Sequence, residues 1–391
     1  MKYISRSVRV LSAVSLFTDM ASEMLYPVMP VYLKSIGFSI LLIGVLEGLA
    51  EAVAGLSKGY FGKLSDQTEK RVPFVQLGYG LSAISKPMLA LFVQPVWVFF
   101  ARSLDRLGKG VRTGARDAIL SQESTPENKG KVFGFHRSMD TLGAVIGPLL
   151  ALGYLAIYPE DYRTLFLIAF IPGLIATLST FFLKENRKEK VQALPRIPFF
   201  SFLNYWKISS SQYRKLVIGL LVFALFNSSD VFLLLKAKQA GLTDSGIIGV
   251  YIFYNLVYAL FAFPLGKLAD KIGMKKVFMM GLILFFIVYF GMAFVQNLNS
   301  FLILFFLYGI YAAASEGISK AWISNISDKK DIATAIGFYA GFQSICALLA
   351  SSIAGFVWFK FGAEATFLLT ASVSFFLLIY FLFSVKKETS G

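Results

Sequence analysis

Gly62-Lys63-Leu64-Ser65-Asp66-Gln67-Thr68-Glu69-Lys70-Arg71 and Gly266-Lys267-Leu268-Ala269-Asp270-Lys271-Ile272-Gly273-Met274-Lys275-Lys276 are two versions of one stretch. Each reads glycine, three residues, aspartate, then a short turn into paired cations, and each is wedged between long apolar runs. They stand about half a chain apart, which marks the chain as a duplicated unit. An internal repeat constrains the architecture before any single residue does.

The flanking runs set the class. Of 391 residues, 56% are hydrophobic and 16% charged. Soluble domains average roughly 45–50% and about 25%, so this composition belongs in a bilayer. Runs long enough to span one recur near 10–33, 41–62, 74–94, 96–119, 132–156, 164–183, 215–238, 245–266, 276–296, 301–323, 333–358 and 363–385. Spans of this length predict helices, because barrel strands are about 10 residues with strict alternation. The expected fold is an all-α membrane protein of about twelve transmembrane helices in two pseudo-symmetric six-helix bundles. Residues 1–184 form the first bundle, 185–213 a cytoplasmic linker and 214–391 the second bundle. Phe199, Phe200, Phe202, Tyr205 and Trp206 suit the linker either to the membrane surface or to a plain tether.

A net charge of +15 invites a nucleic-acid reading, but its distribution opposes one. Cations gather before the first span and after the even-numbered ones, as at Lys70, Arg71, Lys129, Lys131, Lys271, Lys275 and Lys276. That asymmetry predicts a multi-pass protein of the cell membrane with both termini cytoplasmic. Asp19 and Glu23 interrupt the first apolar run and no small-residue cleavage site follows, so the run reads as an uncleaved first helix. The single cysteine, Cys346, falls inside a span and reads as an apolar filler.

Further echoes strengthen the repeat. Lys131-Val132-Phe133-Gly134-Phe135 opens the fifth span and Ala335-Ile336-Gly337-Phe338 the eleventh, while Ile43-Gly44-Val45 matches Ile248-Gly249-Val250. Two parallel six-helix repeats place a substrate site at their interface near the bilayer midplane. At this point the chain resembles the major facilitator superfamily over essentially its whole length. That family's loop between helices 2 and 3 reads Gly-x-x-x-Asp-Arg-x-Gly-Arg-Arg. Gly62, Asp66, Lys70 and Arg71 match it, with Gln67 and Glu69 as departures; Gly266, Asp270, Lys271, Gly273, Lys275 and Lys276 match it more fully. The resemblance implies a cytoplasmic gating latch at both copies, in which an aspartate faces cations and a neighbouring helix N-terminus; a topology-setting turn is the plain alternative. Arg102 followed by Gly108 and Gly110 resembles the superfamily's conserved-arginine motif in helix 4, while Tyr26-Pro27-Val28-Met29-Pro30 preceded by Glu23 and Gly143-Ala144-Val145-Ile146-Gly147-Pro148 resemble the drug–proton antiporter branch. Ala151-Leu152 stand where that branch closes its helix-5 motif with Gly-Gly. Gly143 and Gly147 also suit close helix packing, with Pro148 as a bend.

Ionised side chains inside spans cost about 2.5–3.5 kcal/mol or more each and generally mark a substrate or proton route. Asp19 and Glu23 share a face of the first span. At about 1.5 Å per residue, depth offers Glu23 to Arg102 and Asp19 to Arg106 as partners. These four are the expected proton-coupling set, with Glu23 the preferred carrier. Asp105, Lys109 and Arg112 on the fourth span, Arg137 and Asp140 on the fifth, and Asn227, Asp230, Tyr254, Asn255, Glu316 and Gln343 in the second half are the expected substrate-cavity residues. Arg116 reads as a snorkelling anchor, and Lys86 as a partner for Glu47 or Glu51. His136, the sole histidine, reads as an interface residue or a pH sensor. Tyr251, Tyr254, Tyr258, Tyr308 and Tyr311 line a cavity wall or fill a core.

One histidine and one cysteine leave no His-Glu-x-x-His and no cysteine cluster, and neither a Gly-x-Ser-x-Gly elbow nor a Walker loop is present. The expectation is no enzyme, no cofactor and no metal. The chain reads as a monomeric secondary transporter working by alternating access, exporting a drug or metabolite against protons. Import of an organic anion, nutrient or metal chelate is the alternative, and a non-transporting receptor a remote one.

Overall fold

The computed structural model describes residues 4–184 and 198–384; at 30–31, 40–52 and 244–245 it describes the backbone alone. Residues 185–197 of the expected linker, and the Glu47 and Glu51 side chains, lie outside the described residues. Among the described residues the protein is helical and has no strand. In chain order the helices are α1 (Arg6–Leu25), α2 (Met29–Ser35), α3 (Ile40–Thr68), α4 (Val72–Leu91), α5 (Pro95–Gln122), α6 (Lys129–Ile157), α7 (Tyr162–Ser179), α8 (Tyr205–Ile208), α9 (Ser211–Phe226), α10 (Val231–Gln239), α11 (Asp244–Ile272), α12 (Met274–Phe294), α13 (Leu298–Ile326) and α14 (Ile332–Ser384).

These correspond to the twelve spans read from hydropathy. Pro27 divides the first span into α1 and α2, since a proline lacks the N–H that the next turn needs. The seventh span is divided into α9 and α10 by the non-helical run Asn227-Ser228-Ser229. The eleventh and twelfth run together as α14, turned at Gly362 with φ 88°. Sequence chemistry sets several starts: Ser5, Ser210, Thr243 and Asn297 each accept a hydrogen bond from an amide three residues on. Asp161 does the same for α7. The Tyr154 hydroxyl also donates to Asp161 at 2.7 Å and is the main cause holding that carboxyl below its ordinary range.

Seven helical stretches among the described residues are long and apolar enough to cross a membrane unaided, from Lys129–Ile157 onward.

The chain folds as two compact units, one of Met1–Glu123, Met139–Ile208 and Asp328–Ser344, the other of Ser124–Ser138, Ser209–Ser327 and Ile345–Gly391. Helices α6 and α14 each change unit part-way along. In the first unit α3 packs on α5 and α4 on α5 and α7, with α1 against α7. A cluster around Met24, Tyr32, Leu89, Val98, Leu165 and Phe166 forms part of its core. In the second unit α13 packs on α11 and α12. Phe278, Phe285, Trp322 and Phe381 are fully buried there. The described part of the linker is docked on the first unit: the Phe202 ring is buried against Gly59 and Phe338, and Trp206 stacks on Phe338. Lys63 Nζ donates to the Ser201 carbonyl at 2.8 Å.

Candidate functional site

In the first unit, α1, α4 and α5 bring charged residues together at one place. Lys86 on α4 is buried and donates to Asp105 on α5 at 2.6 Å and to Ser22 on α1 at 3.3 Å. Ser22 lies between Asp19 and Glu23, and Asp105 lies between Arg102 and Arg106, both of which act on it electrostatically. Arg102 is buried, while Asp19, Glu23 and Arg106 are half-buried. Asp105 is thus surrounded by Lys86, Arg102 and Arg106, and Arg112 acts on Lys86 in turn, while Asp19 and Glu23 flank Ser22 along α1. The described partner of Lys86 is Asp105; the Glu47 and Glu51 side chains, expected as its partners, lie outside the described residues. Sequence reading missed this pair because α4 and α5 are antiparallel neighbours whose register is set by packing.

The glycines of α6 sit against the backbone that carries the acids. A Cβ on Gly143 would meet the Leu16 carbonyl and Asp19 Cβ, and one on Gly147 the Met20 carbonyl and Met24 amide, all too close for a side chain. Only glycine lets α6 approach α1 this closely. Pro148 lies inside α6 without ending it.

The other residues expected in a cavity have these surroundings. Arg112 is buried, donating to Ser82 Oγ at 2.8 Å and lying over the Tyr79 ring at 4.5 Å. Arg116 is not a snorkelling anchor: it is 8% exposed and ion-pairs with Asp117 at 2.8 Å. Asp140 is buried and accepts from Ser15 Oγ. Lys109 is exposed, and His136 is buried inside the protein. Gln343 is half-buried in the first unit.

In the second unit, Arg137 donates to Glu316 and to the Tyr258 hydroxyl. This pair joins α6 to α13, with Glu316 exposed. The interrupted seventh span forms a second polar locus. There the Tyr254 hydroxyl donates to Asp230, and Asn227 Nδ2 donates to the Tyr311 hydroxyl at 2.9 Å. Tyr254, Tyr308 and Tyr311 are buried and packed ring against ring. Asn255 is buried and bonds back to the Tyr251 carbonyl at 3.0 Å.

The two repeated loops meet helix starts by the same chemistry. Asp66, buried at the end of α3, accepts from the amides of Ala333 and Thr334 and from the Thr334 hydroxyl, and pairs with Arg71 at 2.9 Å. Asp270, at the end of α11, accepts from the amides of Gly130 and Lys131 at 2.7 and 2.8 Å. Each carboxylate caps orphan N–H groups at the positive end of a helix. Gly62 faces the Ala333 carbonyl and Gly266 the Gly130 carbonyl, again with no room for a Cβ. Lys70 and Lys271 point to solvent. Gly273 turns with φ 98°, and Glu69 holds the equivalent turn at φ 51° despite its side chain. Sequence reading found both aspartates but not Thr334, Gly130 or Lys131. The signal was the matching offset of the fifth and eleventh span openings.

The sequence profile of the Major Facilitator Superfamily matches residues 11–253 and 231–391. The chain belongs to that superfamily. An uncharacterised MFS-type transporter of Methanocaldococcus jannaschii is 35% identical over 386 residues, 96% of this chain and 95% of its own length. The multidrug resistance protein MdtG of Dickeya zeae is 26% identical over 389 residues, 96% and 93% of the two chains. A multi-drug resistance efflux pump PmrA homolog of Lactococcus lactis is 23% identical over 371 residues, 90% and 88%. The human organic anion transporter MFSD10 superposes with a TM-score of 0.84 at 16% identity, over 96% of this chain and 99% of that one, which concerns the fold alone. The superfamily fold is twelve helices in two bundles, so the expected architecture holds. The protein is a multi-pass membrane transporter of small molecules and not an enzyme.

Proposed function

We propose that this superfamily member is a proton-coupled exporter of a small drug or metabolite, monomeric in the cell membrane with both termini cytoplasmic. The observation that carries the reading is the charged locus where Lys86 of α4 bonds Asp105 of α5 and Ser22 of α1, between Asp19 and Glu23. Protonating one acid there adds positive charge to a low-dielectric site. Lys86 and Asp105 hold each other, and Asp19 and Glu23 are the acids that α1 offers to a proton. Glu23 is the carrier, Asp19 its neighbour. Loading a proton there releases an arginine and shifts the balance between inward-open and outward-open states.

The close seat of Gly143 and Gly147 on α1 supports this assignment, since it ties the acid-bearing backbone to α6. The relatives named for multidrug resistance and efflux favour outward transport. Residues 1–184 and 214–391 act as the two moving bundles, joined by the linker 185–213. Asp105, Lys109, Arg112, Arg137, Asp140, Asn227, Asp230, Tyr254, Asn255, Glu316 and Gln343 supply cavity contacts. The loops at Gly62, Asp66, Lys70, Arg71, Gly266, Asp270, Lys271 and Gly273 act as twin latches, holding helix starts through bonds weak enough to open each cycle.

The test uses inside-out vesicles and a fluorescent lipophilic dye such as ethidium, with and without an imposed pH gradient. Gradient-driven accumulation is expected in the wild type and lost in Glu23→Gln. Accumulation in that variant at the wild-type rate removes Glu23 as the carrier, and accumulation indifferent to the gradient removes proton coupling.

A further inference from the structure

The gap between α9 and α10 carries an unusual electrostatic arrangement. Helix α9 ends at Phe226, and Asn227 leaves helical geometry with φ −88° and ψ 81°. The last carbonyls of a helix have no following turn to bond, and they form its negative pole. Asp230 stands three residues beyond, adding a carboxylate to that pole. Three other acids have cations: Asp66 has Arg71, Asp105 has Lys86 and Asp117 has Arg116. Among the described residues Asp230 receives the Tyr254 and Ser229 hydroxyls and backbone N–H groups of its own turn, all neutral donors. An isolated carboxylate inside a bilayer protein is strongly disfavoured without a neutralising charge.

Two further oxygens of the same turn are buried without a close hydrogen bond, Asn227 Oδ1 and Ser228 Oγ, the latter facing the Tyr289 hydroxyl. Ser228 is 5% exposed. Asn227 donates an amide proton to Tyr311, which fixes its side chain with the oxygen available as an acceptor. A buried acceptor left open is costly unless something donates to it or coordinates it. The inventory of this turn is thus one carboxylate, one amide oxygen, one hydroxyl oxygen and the orphan carbonyls of a helix end. All are hard oxygen donors carrying a single negative charge. Broken helices of transporters present unwound carbonyls and half-helix C-termini to coupling cations in this way.

We propose that the interruption of the seventh span is a binding site for a small monovalent metal cation, sodium, held by Asp230, Asn227 Oδ1, Ser228 Oγ and the end of α9. The bound ion neutralises Asp230 and satisfies the open oxygens together. It would be a second coupling ion in the second half of the chain, independent of the proton carried in the first. Binding needs no gradient and no cargo, so it stands or falls separately from the export reading.

The experiment is equilibrium binding of radioactive sodium to the purified full-length protein in detergent, with thermal melting in parallel. NaCl is titrated against choline chloride at constant ionic strength, and KCl is a third arm. Saturable sodium binding with a matching rise in melting temperature is expected, unaffected by choline. The affinity should fall at least about tenfold in Ser228→Ala and be lost in Asp230→Asn. Ser228→Ala removes a single hydroxyl and keeps the test open if Asp230→Asn fails to fold. Absence of saturable sodium binding by the wild type overturns the proposal. So does equal binding by wild type and Ser228→Ala, or preference for potassium. A melting temperature that follows pH through Asp230 but ignores sodium also overturns it, and makes the locus a protonation site.

Discussion

Asp66 accepts two hydrogen bonds from one distant residue, Thr334: the amide at 2.6 Å and the hydroxyl at 2.8 Å. The same carboxylate pairs with Arg71, so one side chain ends α3, neutralises a buried guanidinium and starts α14. Asp270 repeats the helix-capping part at α6. The duplication seen in sequence is therefore a duplication of a bond pattern.

Removing charge at Asp66 should cost more than removing a hydroxyl at its partner. Asp66→Asn leaves Arg71 buried with its ion pair broken, a loss of about 3–5 kcal/mol. Thr334→Val deletes one hydrogen bond while the amides still bond, a loss of about 0.5–1.5 kcal/mol. Melting of the purified variants should rank them in that order; the reverse ranking would show that the carboxylate charge is not what holds the contact.

Glu69 occupies a left-handed backbone position, φ 51°, that glycine fills in the second copy at Gly273. A side chain there costs about 1–2 kcal/mol. Glu69→Gly should hold or raise the melting temperature, because relief of strain outweighs the roughly 0.5–1 kcal/mol of chain entropy that glycine brings. Gly273→Ala should lower it. Both shifts are read in one thermal series.

Gly147 and Gly153 belong to the same helix yet should answer oppositely to alanine. A Cβ at Gly147 strikes the α1 backbone beside Glu23, whereas one at Gly153 meets nothing within 4 Å. Gly147→Ala should lose about 1–3 kcal/mol by overpacking and depress gradient-driven transport. Gly153→Ala should be neutral or slightly stabilising. Equal behaviour in melting and transport would refute the close-packing account of α6 on α1.

Lys86 and Asp105 should show strong coupling in a double-mutant cycle. Lys86→Met or Asp105→Asn alone strands a buried charge, at about 3–5 kcal/mol. Together they remove both charges, so the double variant should recover part of the loss, with an interaction energy of about 0.5–3 kcal/mol. Additive losses would mean that the 2.6 Å pair contributes nothing as a pair.

Much of this was open to reading along the chain. Hydropathy runs located the spans, since burial of apolar side chains and the length of a bilayer crossing are properties of a local window. The paired Gly–Asp loops exposed the repeat, and Gly143 and Gly147 announced a close helix contact. Composition and motif gaps set aside catalysis. Partner choice lay beyond that reach. That Lys86 meets Asp105, that Arg116 is buried on Asp117, and that Asp66 finds Thr334 depends on which helices become neighbours and at what register. Those contacts join residues as far as 268 positions apart, and no local period encodes them. The setting of Asp230 is likewise a tertiary fact: sequence shows an acid in a span, and only the folded chain shows that the Tyr254 hydroxyl meets it and that, among the described residues, no cation is paired with it.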